Sequence, residues 1–334
     1  MKFWLRTVLL FALLAALMAG CQITATQPGA AVITADNAAG LAVVQQTQLS
    51  APYEITWSPD GSALLILEGG GAARLDARTL KPTEKLEFEM PVMFASTSPD
   101  GETLAYSEDG SRIAIKNIRK MEAAISIDPG ETIGGLDFSP DGQTLLANSM
   151  EAFSVLLWDA GNGSDSGRLT GFETAAPVYS VRFGEDGNHI LWIARGTAQS
   201  QQITGGQMGP EISHEDFISD AALSPDGKVL AAAAAGTVRG EYTPALFLWD
   251  AANGDALGVL PYSESFGRVA FSPDGQLIAA SNGARITIWD VADPQLVAEL
   301  DSHADIIRAL AFSPDGATLA SAAGDGTLAL WQVK

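Results

Sequence analysis

Seven short stretches of the chain alternate apolar and polar positions with a period of two, and each runs into the same kind of turn. Ser-Pro-Asp-Gly begins at Ser58, Ser98, Ser139, Ser224, Ser272 and Ser313, and a degraded copy, Gly184-Glu185-Asp186-Gly187, fills the one gap. The position before the turn is Trp57, Thr97, Phe138, Phe183, Leu223, Phe271 or Phe312. The third back is Ile55, Ala95, Leu136, Val181, Ala221, Val269 or Leu310. That alternation marks one face of a β-strand. Ser, then Pro with its preset φ, then Asp and Gly, suits a type I turn closing a hairpin. Second strands follow, such as 276–281 and 317–321, and third strands end in Leu156-Leu157-Trp158-Asp159, Leu248-Trp249-Asp250, Ile288-Trp289-Asp290 and Leu330-Trp331-Gln332. The turns recur at spacings of 40, 41, 45, 40, 48 and 41 residues. Units of that length fit four strands each, so the pattern predicts an all-β, seven-bladed β-propeller.

The last unit stops after its third strand. An extra apolar stretch, Leu41 to Leu49, precedes the first unit, with the length and Val/Thr content of one strand. It is expected to pair with the Leu328–Trp331 strand, so that an N-terminal strand closes the last blade.

Over essentially all of residues 41–334 the chain resembles the WD40-repeat family. The last unit carries the resemblance most fully, with His303, Ala311-Phe312-Ser313-Pro314-Asp315-Gly316, Leu319-Ala320-Ser321, Gly324-Asp325-Gly326-Thr327 and Trp331. The resemblance implies a structural hydrogen-bond tetrad of His303, Ser321, Asp325 and Trp331. The fifth unit keeps His214 ten residues before its turn and lacks the matching Asp. Units one, two and four lack the terminal Trp, with Leu75, Lys116 and approximately Gln202 in its place.

Ahead of the repeats, Lys2 and Arg6 precede an apolar run from Val8 to Ala19, which fits a secretory signal and is short for a mature membrane span. It ends in Leu17-Met18-Ala19-Gly20-Cys21, which resembles a bacterial lipoprotein signal in which the cysteine is lipidated. Residues 1–20 read as the signal peptide, 21–40 as a flexible tether of small polar residues, and 41–334 as the propeller.

Composition narrows the function. The 334 residues carry 40 acidic against 19 basic side chains, a formal charge of −21, which argues against a nucleic-acid partner. Cys21 is the one cysteine, so internal disulfides and thiolate metal clusters are excluded. The acidic surface either steers basic partners or keeps an exported protein soluble. The segment from Gly161 to Gly167 is the nearest thing to a phosphate loop, but Ser166 breaks its pattern and no helix follows.

No cofactor, metal site or catalytic constellation is expected. The turn aspartates Asp60, Asp100, Asp141, Asp226, Asp274 and Asp315 stand blades apart, whereas calcium needs several oxygens at one point. Near the channel mouth, five residues before the turns, stand Tyr53, Met93, Gly134, Tyr179, Ser219, Gly267 and Arg308. One place nearer come Glu54, Phe94, Gly135, Ser180, Asp220, Arg268 and Ala309, of which two are acidic. Tyr53, Met93, Phe94, Tyr179, Arg268 and Arg308 are the partner-binding candidates, because aromatic and Arg mixtures make protein hot spots. Equally, the apolar ones could fill blade interfaces. Longer loops are expected at Asn148 to Phe153 and Gly236 to Pro244, and a mobile linker at Gln199 to Gly209.

The expected protein is a monomeric, lipid-anchored, non-catalytic interaction scaffold on the outer side of a bacterial membrane, periplasmic or at the cell surface. The alternatives are a secreted propeller enzyme of hydrolase or lactonase type with its site in the central channel, or an envelope-assembly accessory lipoprotein.

Overall fold

The computed structural model describes residues 30–88, 92, 94–107, 110–120, 125–171, 178–194, 196–213, 217–238, 241–261, 266–301 and 303–334. Residues Ala31–Lys334 form one compact unit, a ring of seven four-stranded antiparallel sheets. In six blades the strands follow chain order from the inside outward. Blade seven takes three strands from the C-terminal end (Ile307–Phe312, Leu319–Ala323, Thr327–Val333) and its outer strand, Leu41–Gln48, from the N-terminal end. Leu41 faces Val333 and Gln48 faces Thr327 across that ladder. The expected closing strand is therefore present, and it covers what would otherwise be a bare sheet edge.

Apolar burial is divided among the blade boundaries. Seven hydrophobic clusters occupy the seven boundaries, one each. At the seam between blades seven and one, Ile55, Trp57, Leu64 and Ile66 meet Ala309, Ala320, Leu328 and Leu330. Between blades six and seven the cluster also takes in Ile33, Ala38 and Leu41. Ile33 is buried, its N–H donates to Gly316 O (2.9 Å), and a short 3₁₀ turn follows at Ala38–Gly40. Residues 31–40 thus pack on the propeller, which corrects the expected tether boundary at residue 40. The apolar side chains Ile33 and Ala38 are the reason. The rest of the tether up to residue 29, with Cys21 and the signal, lies outside the described residues.

The repeated turn shows why its four residues recur. In blade one, Ser58 O accepts from Gly61 N–H (2.8 Å), and Gly61 takes φ +66°, a left-handed conformation that glycine adopts without strain. Ser58 Oγ accepts from Ala63 N–H (2.9 Å) and donates to Asp60 Oδ1 (2.7 Å), which also accepts from Ser62 N–H (2.9 Å). The same bonds recur at Ser98, Ser139, Ser224, Ser272 and Ser313. In the degraded copy Gly184 has no hydroxyl. Asp186 Oδ1 takes over, accepting from both Asn188 and His189 N–H groups (3.0 and 3.1 Å).

Three loop expectations change. Within the expected loop from Gly236 to Pro244, residues 236–238 and 241–244 continue as strand, with Gly236 opposite Thr243, Thr237 opposite Tyr242 and Val238 opposite Glu241. Gln199 likewise lies within a strand, Thr197–Gln202, and Gln201, not Gln202, stands where other blades carry the terminal Trp, opposite Ile190. Gln201 is buried because its Oε1 accepts from the indole N–H of Trp192 (3.0 Å) and its amide donates to Thr170 O (2.8 Å). In blade three Asn148 ends up in a strand, and the loop itself runs from Met150 to Ser154.

Candidate functional site

The inner strand of each blade faces a central channel, and two cavities of about 650 and 560 Å³ meet in it. Both are walled by Glu54, Asp137, Arg182 and Glu185. The larger opens toward the prolines of the turns, and the smaller toward Tyr53, Phe94, Arg268 and Arg308. Strict alternation would send only every second residue into the channel. Bulges in five inner strands, such as the one between Pro52 and Glu54, bring adjacent residues to the mouth together.

The residues two before each turn also line this channel. They are Thr56, Ser96, Asp137, Arg182, Ala222, Ala270 and Ala311. Asp137 and Arg182 belong to this row, so the channel holds more carboxylates than the two expected at the mouth. The same period of two that revealed the strands points at this row, which makes it readable from sequence.

Polar groups of the channel wall form a closed circuit across the seven boundaries. Thr56 and Thr97 hydroxyls join blades one and two, and Ser96 Oγ donates to Asp137 Oδ1 (3.4 Å) between two and three. Phe183 N–H donates to Asp137 Oδ2 (2.8 Å) between three and four, and Arg182 pairs with Asp220 (3.0 Å) between four and five. Val269 N–H donates to Asp220 Oδ2 (3.0 Å), Arg268 Nε to Arg308 O (2.8 Å), and Trp57 Nε1 to Ala311 O (3.1 Å), completing the ring. Asp137 and Asp220 are therefore engaged in holding blades together. Glu54 likewise accepts from the Thr97 N–H of blade two.

Burial pushes the Glu54 carboxyl up to about 7, helped by the neighbouring Asp137 and opposed by Arg182, the Thr97 N–H and Arg268. Burial lifts Asp137 to about 6, against the N–H groups of Phe183 and Phe138 and the Arg182 charge. Tyr53 is raised to about 12, by burial and then by Glu54. Among the described residues no group of three or more His, Cys, Asp or Glu side chains is arranged to hold a metal.

Of the partner-binding candidates, Tyr53 and Phe94 both line the mouth and pack against blade-interface clusters. Arg268 and Arg308 stand side by side at the mouth. Met93 and the Tyr179 side chain lie outside the described residues, as does His214.

In blade seven, Trp331 Nε1 donates to Ser321 Oγ (2.9 Å), which also bonds His303 Nε2 (2.7 Å). The fourth tetrad link differs from expectation. His303 Nδ1 is buried 3.9 Å from Asp325 Oδ1 and has no hydrogen-bond partner. Asp325 instead accepts from the backbone N–H groups of Ala304 (2.7 Å) and Thr327 (2.8 Å), tying the loop to the hairpin. Burial pushes the His303 imidazole below its usual range, against the pull of Asp325.

A family model, WD domain, G-beta repeat, matches residues 263–290 and 294–332, the last two repeats. Telomerase protein component 1 of Rattus norvegicus is 25% identical over 260 residues, 76% of this chain and 8% of that protein. Small ribosomal subunit protein RACK1 of Drosophila melanogaster is 33% identical over 129 residues, 36% of this chain and 38% of that one. Actin-interacting protein 1, also of Drosophila melanogaster, is 22% identical over 244 residues, 71% of this chain and 39% of that protein. The chain spans less than two fifths of the length of these relatives. Among solved structures, Kuenenia stuttgartiensis hydrazine synthase superposes with a TM-score of 0.72 at 20% identity, covering 87% of this chain and 98% of that one, a likeness of fold.

Proposed function

We propose that this chain, a WD40-repeat β-propeller, is a non-catalytic scaffold that docks protein partners on one face while a lipid on Cys21 holds it to the outer side of a bacterial membrane. The observation that carries the docking reading is the distribution of exposed apolar side chains. Met150 (50% exposed) and Phe153 (46%) lie between the second and third strands of blade three, and Phe217 (47%) and Ile306 (62%) just before the inner strands of blades five and seven. Antiparallel topology puts all these connections at one end of the blades, the end where Arg268 and Arg308 stand. The opposite end carries the Ser-Pro-Asp-Gly turns with Val32 beside Gly316, and the other exposed large apolar side chains among the described residues, Val44, Leu257, Val259 and Leu296, lie on the outer strands. Apolar groups rimmed by polar loops on a rigid frame are a usual docking surface. A small ribosomal subunit protein and a protein named for interacting with actin are among the relatives, and both names denote contact with other macromolecules.

The anchor rests on the sequence around Cys21. The test is photo-crosslinking in intact cells from position 306 and, separately, from position 274 in the opposite turns. A specific adduct is expected from 306 and none from 274. Equal labelling from both would remove the docking face. Cys21→Ser is expected to release the protein from washed membranes, and retention would remove the anchor.

A further inference from the structure

The channel mouth on the docking face carries charges of both signs. Among the described residues neither Arg268 nor Arg308 enters an ion pair, although the chain has about twice as many acidic as basic side chains. Arg268 Nε donates to the backbone O of Arg308 (2.8 Å), and both arginines line the same mouth. Like charges so placed favour an anion between them. One blade further round stands Glu54, which accepts from the Thr97 N–H of the next blade and lines both cavities. Its desolvation and the nearby Asp137 favour a proton or a cation against it.

Blades six, seven and one therefore present two arginines and a carboxylate along one arc. Tyr53 and Phe94 continue the arc with aromatic surface. A simple anion entering here would meet Glu54, Asp137 and Asp220. A simple cation would meet Arg182, Arg268 and Arg308. A molecule bearing both charges meets each with its complement, and a space of about 560 Å³ is in the range of small-ligand sites.

We propose that this mouth binds a free α-amino acid with an apolar side chain, its carboxylate on Arg268 and Arg308, its ammonium on Glu54, and its side chain against Tyr53 and Phe94. The site stands independently of the scaffold reading, because a blank titration would leave the crosslinking outcome untouched.

The test is calorimetric titration of the detergent-solubilised full-length chain with L-phenylalanine and L-leucine. The controls are 2-phenylethylamine, which lacks the carboxylate, and 3-phenylpropanoate, which lacks the ammonium. Binding of at least one amino acid at about millimolar or tighter is expected, with both single-charge analogues about tenfold weaker or more. Glu54→Gln is expected to bring L-phenylalanine down to the level of 3-phenylpropanoate. Arg268→Gln should bring it down to 2-phenylethylamine, while Arg268→Lys, which gives up the Nε bond but keeps the charge, retains most of the binding. Cooperative thermal melts of these variants establish that each still folds, so the losses belong to the site. Absence of heat with both amino acids, analogues that bind as tightly, or a Glu54→Gln variant that binds normally would each overturn the proposal.

Discussion

The turns at one end of the ring and the channel wall inside it use the same carboxylate chemistry to opposite effect. In the turns, Asp60 is held down at about 2 by the hydroxyl and N–H groups that donate to it, and Asp226 likewise by Lys228 and Ser224. In the channel, burial lifts Glu54 to about 7 and Asp137 to about 6. The turns solve one geometric problem seven times, and six of the seven solutions are identical residue for residue. The channel row two before the turn never settles on one residue type, running Thr, Ser, Asp, Arg and then three Ala. Repetition marks what every blade needs, and its failure marks where one blade is asked to do something particular.

The severest break of this contrast removes the closure on which both regions depend. Deleting residues 31–48 strips Ile33, Ala38 and Leu41 from their cluster and bares the Thr327–Val333 edge. The expected loss is comparable to the ~5–15 kcal/mol stability of a whole domain, visible as aggregation and loss of a cooperative melt.

Next is Asp137→Ala, which leaves the N–H groups of Phe138 and Phe183 without their acceptor across a blade boundary. A loss of about 2–4 kcal/mol in denaturant titration is expected, with Asp137→Asn recovering part of it. A cost below that of a turn substitution would show the circuit to be incidental.

The pH dependence of stability separates the two carboxylate classes by sign. A carboxyl raised in the fold binds its proton at a higher pH than in the unfolded chain, so Glu54 and Asp137 make the protein more stable as pH falls from about 8 to about 5. The expected gain is about 2–3 kcal/mol, and Glu54→Gln should remove most of the part above pH 6. Asp60 and Asp226 in the turns act in the reverse sense. Their stabilisation is complete above their ordinary range near 3.8 and is lost as pH falls toward about 2. A stability maximum near pH 5 is expected, and a flat profile from 5 to 8 would refute the channel shifts.

Smallest is the single turn. Ser272→Ala removes the acceptor of Leu277 N–H and the donor to Asp274, with an expected cost of about 1 kcal/mol by thermal melt. Asp274→Ala, whose partners are open to water, should cost less.

The frame was legible because its determinants are local. A turn is settled by four adjacent residues, and a strand face by alternation over six. The closing strand was also readable, since a missing fourth strand at one end and a surplus strand at the other admit one pairing. The channel was legible only in part. Attention to positions four and five before each turn finds Glu54, Asp220, Arg268 and Arg308 but passes over Asp137 and Arg182, which the same alternation places in the wall. That Asp137 accepts from Phe183 in the next blade depends on the spacing between blades, which no local pattern encodes. Asp325 shows the same limit in miniature. Its sequence position suits a partner for His303, yet two backbone N–H groups lie closer and take its oxygens.

The strand that closes blade seven also sets an order of events. Gln48 bonds Thr327 across 279 residues of chain, whereas the hairpins of the other blades join neighbours. During synthesis the Leu41–Gln48 segment emerges first and waits for its ladder partner until nearly everything else has been made. Hairpins close in microseconds, while contacts this distant in sequence are slow to find. The last blade is then the final one to assemble and the first place where a second copy could lend its own strand. Concentration during refolding, rather than temperature, should decide how much of the protein ends as exchanged dimers.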